Sequence, residues 1–150
     1  MINRFKTFTV AISEIWQHWN KIAADEMKHY QMKGAYAVYL VILHSNPDGV
    51  TSTQLGEMSN RDKAEISRAV SDMEKSGMIK REIVHKNSYR ALLKLTEKGS
   101  IAAQKVQKRA MLAVEEGGKG ICDADRENFY HCLLTIAANL KNLSEEGLPE

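Results

Sequence analysis

Apolar residues recur every three or four positions from Val10 to Tyr30, at Ile12, Ile15/Trp16, Trp19, Ile22/Ala23, Met27 and Tyr30. That spacing, sustained over about five turns, predicts an amphipathic helix. Its stripe, with two tryptophans near the start, is more apolar surface than a small domain easily covers. Part of it is therefore expected at a subunit interface, the alternative being an internal core helix. Gly34 punctuates, and Ala35–Ser45 (AYAVYLVILHS) predicts a second, strongly apolar helix. Asn46-Pro47-Asp48-Gly49 has the composition of a turn, since proline sets φ and glycine permits a positive one. Val50 and Thr51 are expected to form a one-bridge strand.

The stretch from Thr51 to Arg81 (TSTQLGEMSNRDKAEISRAVSDMEKSGMIKR) predicts two short helices joined by a tight turn, with a strand directly after them. Thr51 or Ser52 can cap the first helix, because a hydroxyl accepts a hydrogen bond from an otherwise unpaired amide. Leu55 and Met58 give it a short apolar edge. Asn60-Arg61-Asp62 breaks the pattern, and Asp62 is placed to cap the second helix with its charge at the positive end. Ile66, Val70 and Met73 then form a buried stripe, and Gly77 ends the helix with Met78 packing back on Met73. Opposite that stripe lie Ala64, Ser67, Arg68, Ser71 and Lys75. This small, hydroxylated, basic face suits the DNA major groove, where short side chains permit close approach and arginine can bond guanine bidentately. An ordinary solvated face has the same composition.

Met78–Val84 and Tyr89–Leu95 predict two strands around a polar tip, His85-Lys86-Asn87-Ser88. A hairpin placed after a recognition helix is a wing, and Lys86 and Arg90 are its cations for phosphate or minor-groove contact. Thr96 caps a long helix to Glu116, which Gly117-Gly118-Lys119-Gly120 stops. A last helix starts near Asp123 and carries Phe129/Tyr130, Leu133/Leu134, Ala137, Leu140 and Leu143 on one face. The fold class expected is mainly α with a small β-hairpin.

The net charge of +2 conceals an uneven distribution. Residues 1–60 carry five basic and five acidic side chains. Residues 61–109 carry thirteen and six, a net of +7, and residues 110–150 carry three and eight, a net of −5. A polyanion partner is expected for the middle segment. Two cysteines without a pairing framework fit a reducing cytosol, and no signal peptide or membrane span is predicted, so a cytoplasmic protein is expected. Five dispersed histidines form no metal-ligand spacing, and no nucleophile elbow, phosphate-binding glycine loop or paired carboxylates occur. Catalysis, a metal and a cofactor are not expected. Cys122 and Cys132, ten residues apart, leave redox sensing by an intersubunit pair open.

The order helix, helix, helix-turn-helix, hairpin, long helix, helix, with LGEMSNRDKAEISRAVSDMEKSGMIKR and the downstream Leu95-Thr96…Gly99, resembles the MarR family of transcriptional regulators over nearly the whole chain. The resemblance implies a winged helix-turn-helix DNA-binding lobe at 32–96 and an α-helical dimerisation lobe from 1–31 and 97–146, in one domain of 1–150. It implies a homodimer on a pseudo-palindromic operator, commonly a repressor released by a small lipophilic or phenolic ligand. Ser67 and Arg68 match the family's polar pair and are the first candidates for base contacts. Lys63 and Ala64 stand at the N-terminal end of the recognition helix, and Ser52 and Thr53 are expected on phosphate. The wing departs from the family: where many members carry Asp-x-Arg, this chain has Asn87-Ser88-Tyr89, leaving Arg90 as substitute. Trp16, Tyr36, Tyr39 and His44 are the candidate ligand contacts, because a buried polar tip needs a partner. Two alternatives are a winged-helix protein-interaction module and a redox- or metal-sensing regulator of the same fold.

Overall fold

The computed structural model describes residues 3–84 and 90–149. Its first helix, α1 (Arg4–Met27), begins six residues before the stretch expected from Val10. Asn3 caps it, its side chain accepting a hydrogen bond from the Lys6 amide at 3.0 Å and so satisfying a free helix-end donor. A 3₁₀ turn at Lys28–Tyr30 ends the run, with Gln31 left-handed at φ 55°. A second 3₁₀ turn, Gly34–Tyr36, leads into α2 (Ala37–Ser45). Here α1 and the entry to α2 meet backbone to backbone. A Cβ on Gly34 would lie 2.8 Å from Ala24 Cα, so only glycine fits.

The helix-turn-helix consists of α3 (Ser52–Ser59) and α4 (Lys63–Lys75). Thr51 caps α3 in a reciprocal box: its hydroxyl accepts from the Gln54 amide, and the Gln54 side chain accepts from the Thr51 amide at 2.9 Å, joining two orphan donors at once. Asn60 turns the chain left-handed at φ 54°, and Asp62 caps α4 by accepting from the Glu65 amide at 2.8 Å. The end of α4 is closed twice. The Met78 amide donates to Met73 O at 2.9 Å and Gly77, at φ 73°, donates to Glu74 O at 3.0 Å, the paired bonds of a Schellman stop.

Strands β1 (Ile79–Ile83) and β2 (Ala91–Leu95) pair antiparallel, Ile79 opposite Leu95 and Ile83 opposite Ala91. Val50 adds the expected single bridge, to Leu93. The tip, residues 85–89, lies outside the described residues. Thr96 then joins three pieces: its hydroxyl donates to Gly77 O at 2.6 Å and accepts from the Gly99 amide at 3.0 Å, while its own amide donates to Met78 O at 3.0 Å. It thereby caps α5 (Glu97–Gly117) and fastens it to the end of α4. The last helix is α6 (Asp123–Glu146).

Contacts gather the chain into two compact units, Met1–Met111 and Leu112–Glu150. In the first, Met27, Tyr39, Leu40, Leu55, Ile66, Met73 and Leu93 share one fully buried core, so α1 folds together with the winged helix. In the second, Arg126 ties the start of α6 back to Glu115 at 2.8 Å, yet α6 has no buried residue. Phe129, Tyr130, Leu134 and Leu140 are exposed along it, as are Phe5, Phe8, Ile12, Ile15 and Trp16 along α1. Among the described residues no helix is long and apolar enough to cross a membrane.

Candidate nucleic-acid interface

The orientation of α4 follows from what it buries. Ile66, Ala69, Val70 and Met73 face the core, which leaves Lys63, Ala64, Ser67, Arg68 and Lys75 exposed and Ser71 half-buried on the opposite side. Five of the six expected contact positions on this helix therefore lie fully on its outer face. On α3, Thr53 is exposed and Ser52 half-buried. Gly56 permits α3 to approach the turn closely, since its Cβ would meet Arg61 O at 3.1 Å.

The three carboxylates beyond the cap of α4 are all engaged from the protein side. The Tyr36 hydroxyl donates to Asp72 Oδ2 at 2.5 Å, and the Tyr39 hydroxyl donates to Glu65 Oε1 at 3.3 Å. Arg61 Nε stands 3.7 Å from the same Glu65 oxygen, and Arg81 Nε donates to Glu74 Oε2 at 3.0 Å. Arg68 has no hydrogen-bond or ion-pair partner among the described residues. Its guanidinium acts on Tyr36 only through space, favouring the ionised phenol. The outer face of α4 thus presents Lys63, Arg68 and Lys75, while Glu65, Asp72 and Glu74 each bond to a protein group, an arrangement that favours a polyanion.

The tyrosine bonds leave a mark on acidity. Burial first, then the bond to Asp72, pushes the Tyr36 phenol up to about 12. Burial and the Glu65 carboxylate raise Tyr39 as well. Both tyrosines remain neutral donors under any physiological condition. Sequence reasoning misses these bonds because Tyr36 and Asp72 are 36 positions apart and Tyr39 and Glu65 are 26 apart. The available signal is a pair of polar tips on a strongly apolar helix, which points equally to a ligand.

Of the wing cations, Lys86 lies outside the described residues, and Arg90 is exposed at the foot of β2. The four candidate ligand contacts do not come together. Trp16 is exposed on α1 with the Arg61 guanidinium 6.0 Å from its ring. Tyr36 and Tyr39 belong to the core and His44 is half-buried near the end of α2. A cavity of about 210 Å³ does open beside α2, walled by Trp19, Ile22 and Glu26 of α1, Val38 and Val41 of α2, and Val106 and Arg109 of α5. None of the four lines it. The helix phase explains this: Tyr36, just before α2, and Tyr39 bond to α4, while Val38 and Val41 lie on another side and line the cavity. Among the described residues no group of three His, Cys, Asp or Glu side chains is arranged to hold a metal.

The family model of MarR matches residues 30–86, from the 3₁₀ turn after α1 through the helix-turn-helix and past β1. The whole fold agrees with it. A MarR-family transcriptional regulator from Listeria monocytogenes, complexed with 26mer DNA, superposes with a TM-score of 0.83 at 22% identity, over 95% of this chain and 96% of that one. Residues 30–86 thus match the MarR family, and the fold of the chain is that of MarR-family regulators. The MepR–DNA complex of S. aureus is similar to this chain with a TM-score of 0.80 at 14% identity, covering 88% and 97% of the two chains. CouR from Rhodococcus jostii RHA1, bound to p-coumaroyl-CoA, is similar with a TM-score of 0.73 at 18% identity, covering 87% and 91%. Identities this low speak for the fold alone. No curated protein matches the sequence significantly.

Proposed function

We propose that this chain is a MarR-family regulator, a cytoplasmic, non-enzymatic repressor that binds a pseudo-palindromic operator as a homodimer and is released by a small lipophilic ligand. The observation that carries this is the outer face of α4, small and basic, with Glu65, Asp72 and Glu74 of the same helix engaged from the protein side. In a duplex, Ser67 and Arg68 read base edges, with Arg68 suited to guanine O6 and N7. Lys63, Ala64, Ser71 and Lys75 border that contact, Ser52 and Thr53 hold phosphate, and Lys86 and Arg90 extend the basic surface along the wing. Residues 32–96 form the DNA-binding lobe. Residues 1–31 and 97–146 form the dimerisation lobe, in which the exposed apolar faces of α1 and α6 are covered by a second copy.

The cavity beside α2 then serves as the effector site. One face of α2 lines it through Val38 and Val41, and another grips the recognition helix through Tyr36 and Tyr39. A ligand that favours a shifted α2 therefore shifts α4, and its differential affinity for the two arrangements sets how much DNA affinity is lost. Selection of bound duplexes from random DNA at roughly physiological salt tests the proposal. An inverted repeat with half-sites about 10 bp apart is the expected result. No enrichment, from protein shown to be folded and dimeric, would favour the protein-interaction module instead.

The tyrosine clamp has its own test. Tyr36→Phe removes one bond to a carboxylate and is expected to cost about 1 kcal/mol of stability near neutral pH. The folded pKa of about 12 lies above the reference value of 10.0. The bond therefore contributes in full below pH 10 and is lost as pH rises toward 12. Denaturant melts of both proteins at pH 8 and pH 11.5 should show the gap between them narrowing at the higher pH. A gap that widens would mean the phenol ionises readily in the folded state.

A further inference from the structure

The cavity beside α2 is apolar apart from two charged groups, and these are unequally placed. Arg109 Nε lies 3.4 Å from Glu26 Oε2, with the Arg109 side chain 62% exposed and that of Glu26 only 18%. The guanidinium belongs to the water and the carboxylate to the wall. The nearby Tyr30 phenol feels that carboxylate too, since burial and the Glu26 charge both raise its pKa. The carboxylate is the buried member of the pair at this corner. Resting on the assignment of this cavity as the effector site, we propose that its ligand is a lipophilic cation of one aromatic ring, held by Glu26 beside Trp19.

Size comes first. A dry cavity of about 150 Å³ accepts benzene, so 210 Å³ accommodates an aromatic ring with a compact ammonium group. Charge then decides between ligand classes. An anionic phenolate or carboxylate would have to draw Arg109 inward from water and sit beside Glu26, leaving two like charges in an apolar wall. A cation instead takes the place of Arg109 on Glu26. The displaced guanidinium extends into solvent, where most of it already lies, and the exposed pair it gives up is worth little. Trp19 lines the same cavity, and an aromatic wall favours a cation whose charge is spread and weakly hydrated.

The test is calorimetric titration of the full-length protein with phenyltrimethylammonium, its neutral isostere tert-butylbenzene, and benzoate. Each is measured on wild type, Glu26→Gln and Arg109→Ala. The cation should bind wild type about tenfold or more tightly than the isostere. Glu26→Gln should abolish that advantage without changing tert-butylbenzene, and Arg109→Ala should tighten the cation by removing its competitor. Benzoate binding best, and weakening in Arg109→Ala, would overturn the cation assignment while leaving the cavity a ligand site. Equal binding of cation and isostere in wild type and Glu26→Gln would overturn it as well. No binding of any of the three, to folded dimeric protein, would remove both the cation and the effector site.

Discussion

Arg68→Ala is expected to weaken binding to the selected operator by about 1–3 kcal/mol, roughly 5- to 150-fold, with dimer and fold unchanged. The side chain is exposed on the outer face of α4, about one turn along from Ala64 and next to Ser67. No partner among the described residues depends on it, so its removal leaves no buried group unsatisfied and a thermal melt should not move. The loss should be sequence-selective. Titrating wild type and variant against the operator, and against a version altered at one base pair per half-site, separates base reading from simple attraction. A base contact predicts that the variant ceases to distinguish the two duplexes. A phosphate contact predicts an equal loss on both, together with a salt slope shallower by about one. Unchanged operator affinity would remove Arg68 from the interface altogether.

Gly99→Ala is expected to destabilise the first unit by about 3 kcal/mol or more, against what helix propensity alone predicts. In an isolated helix the same change gains about 1 kcal/mol, because glycine is the poorer helix former. Here the new Cβ would lie 1.9 Å from Met78 O and 2.9 Å from its carbonyl carbon. Both are backbone atoms bound into the junction of α4, β1 and α5, so neither can swing aside. Relief requires α5 to retreat, which also stretches the Thr96 bonds to Gly77 O and Met78 O. A fall in Tm on the order of 10 °C, at fixed protein concentration, is the expected readout. A rise in Tm would show that the junction yields and that propensity governs the site.

Gly99 marks the point where local sequence patterns stop being sufficient. Ile66, Val70 and Met73, the Asp62 cap and the Gly77 stop are legible because each is decided within one or two helical turns. The same holds for the hairpin register, anchored by Ile79 and Leu95, and for the Val50 bridge. In the sequence Gly99 is a mere weakness in α5, since its neighbour Met78 is 21 positions upstream and only the fold brings them together. The start of α1 is legible, by contrast, since Phe5 and Phe8 carry the three-four spacing back from Ile12 and Asn3 supplies the cap before them. At the candidate site, the outer face of α4 follows from periodicity. The tyrosine–carboxylate bonds and the composition of the cavity do not, because they depend on how α1 and α2 are rotated about their own axes. Trp16 and Trp19 suit a cavity wall equally well until that rotation is known, and it is Trp19 that lines the cavity beside α2.

Mechanically, Thr96 acts as a pivot. It bonds the residues just past α4 to the first turn of α5, so the recognition helix is fixed at one end like a rod in a socket. The 13 residues of α4 make that rod about 20 Å long. A tilt of about 5° at Thr96 would carry the far end through roughly 1.7 Å, while Lys75 beside the pivot would barely move. Displacement grows with distance from the hinge, so Ser67, Arg68 and above all Lys63 would travel furthest. A motion too small to disturb the core could thus carry the Lys63 end across a groove while the Lys75 end stayed nearly in place.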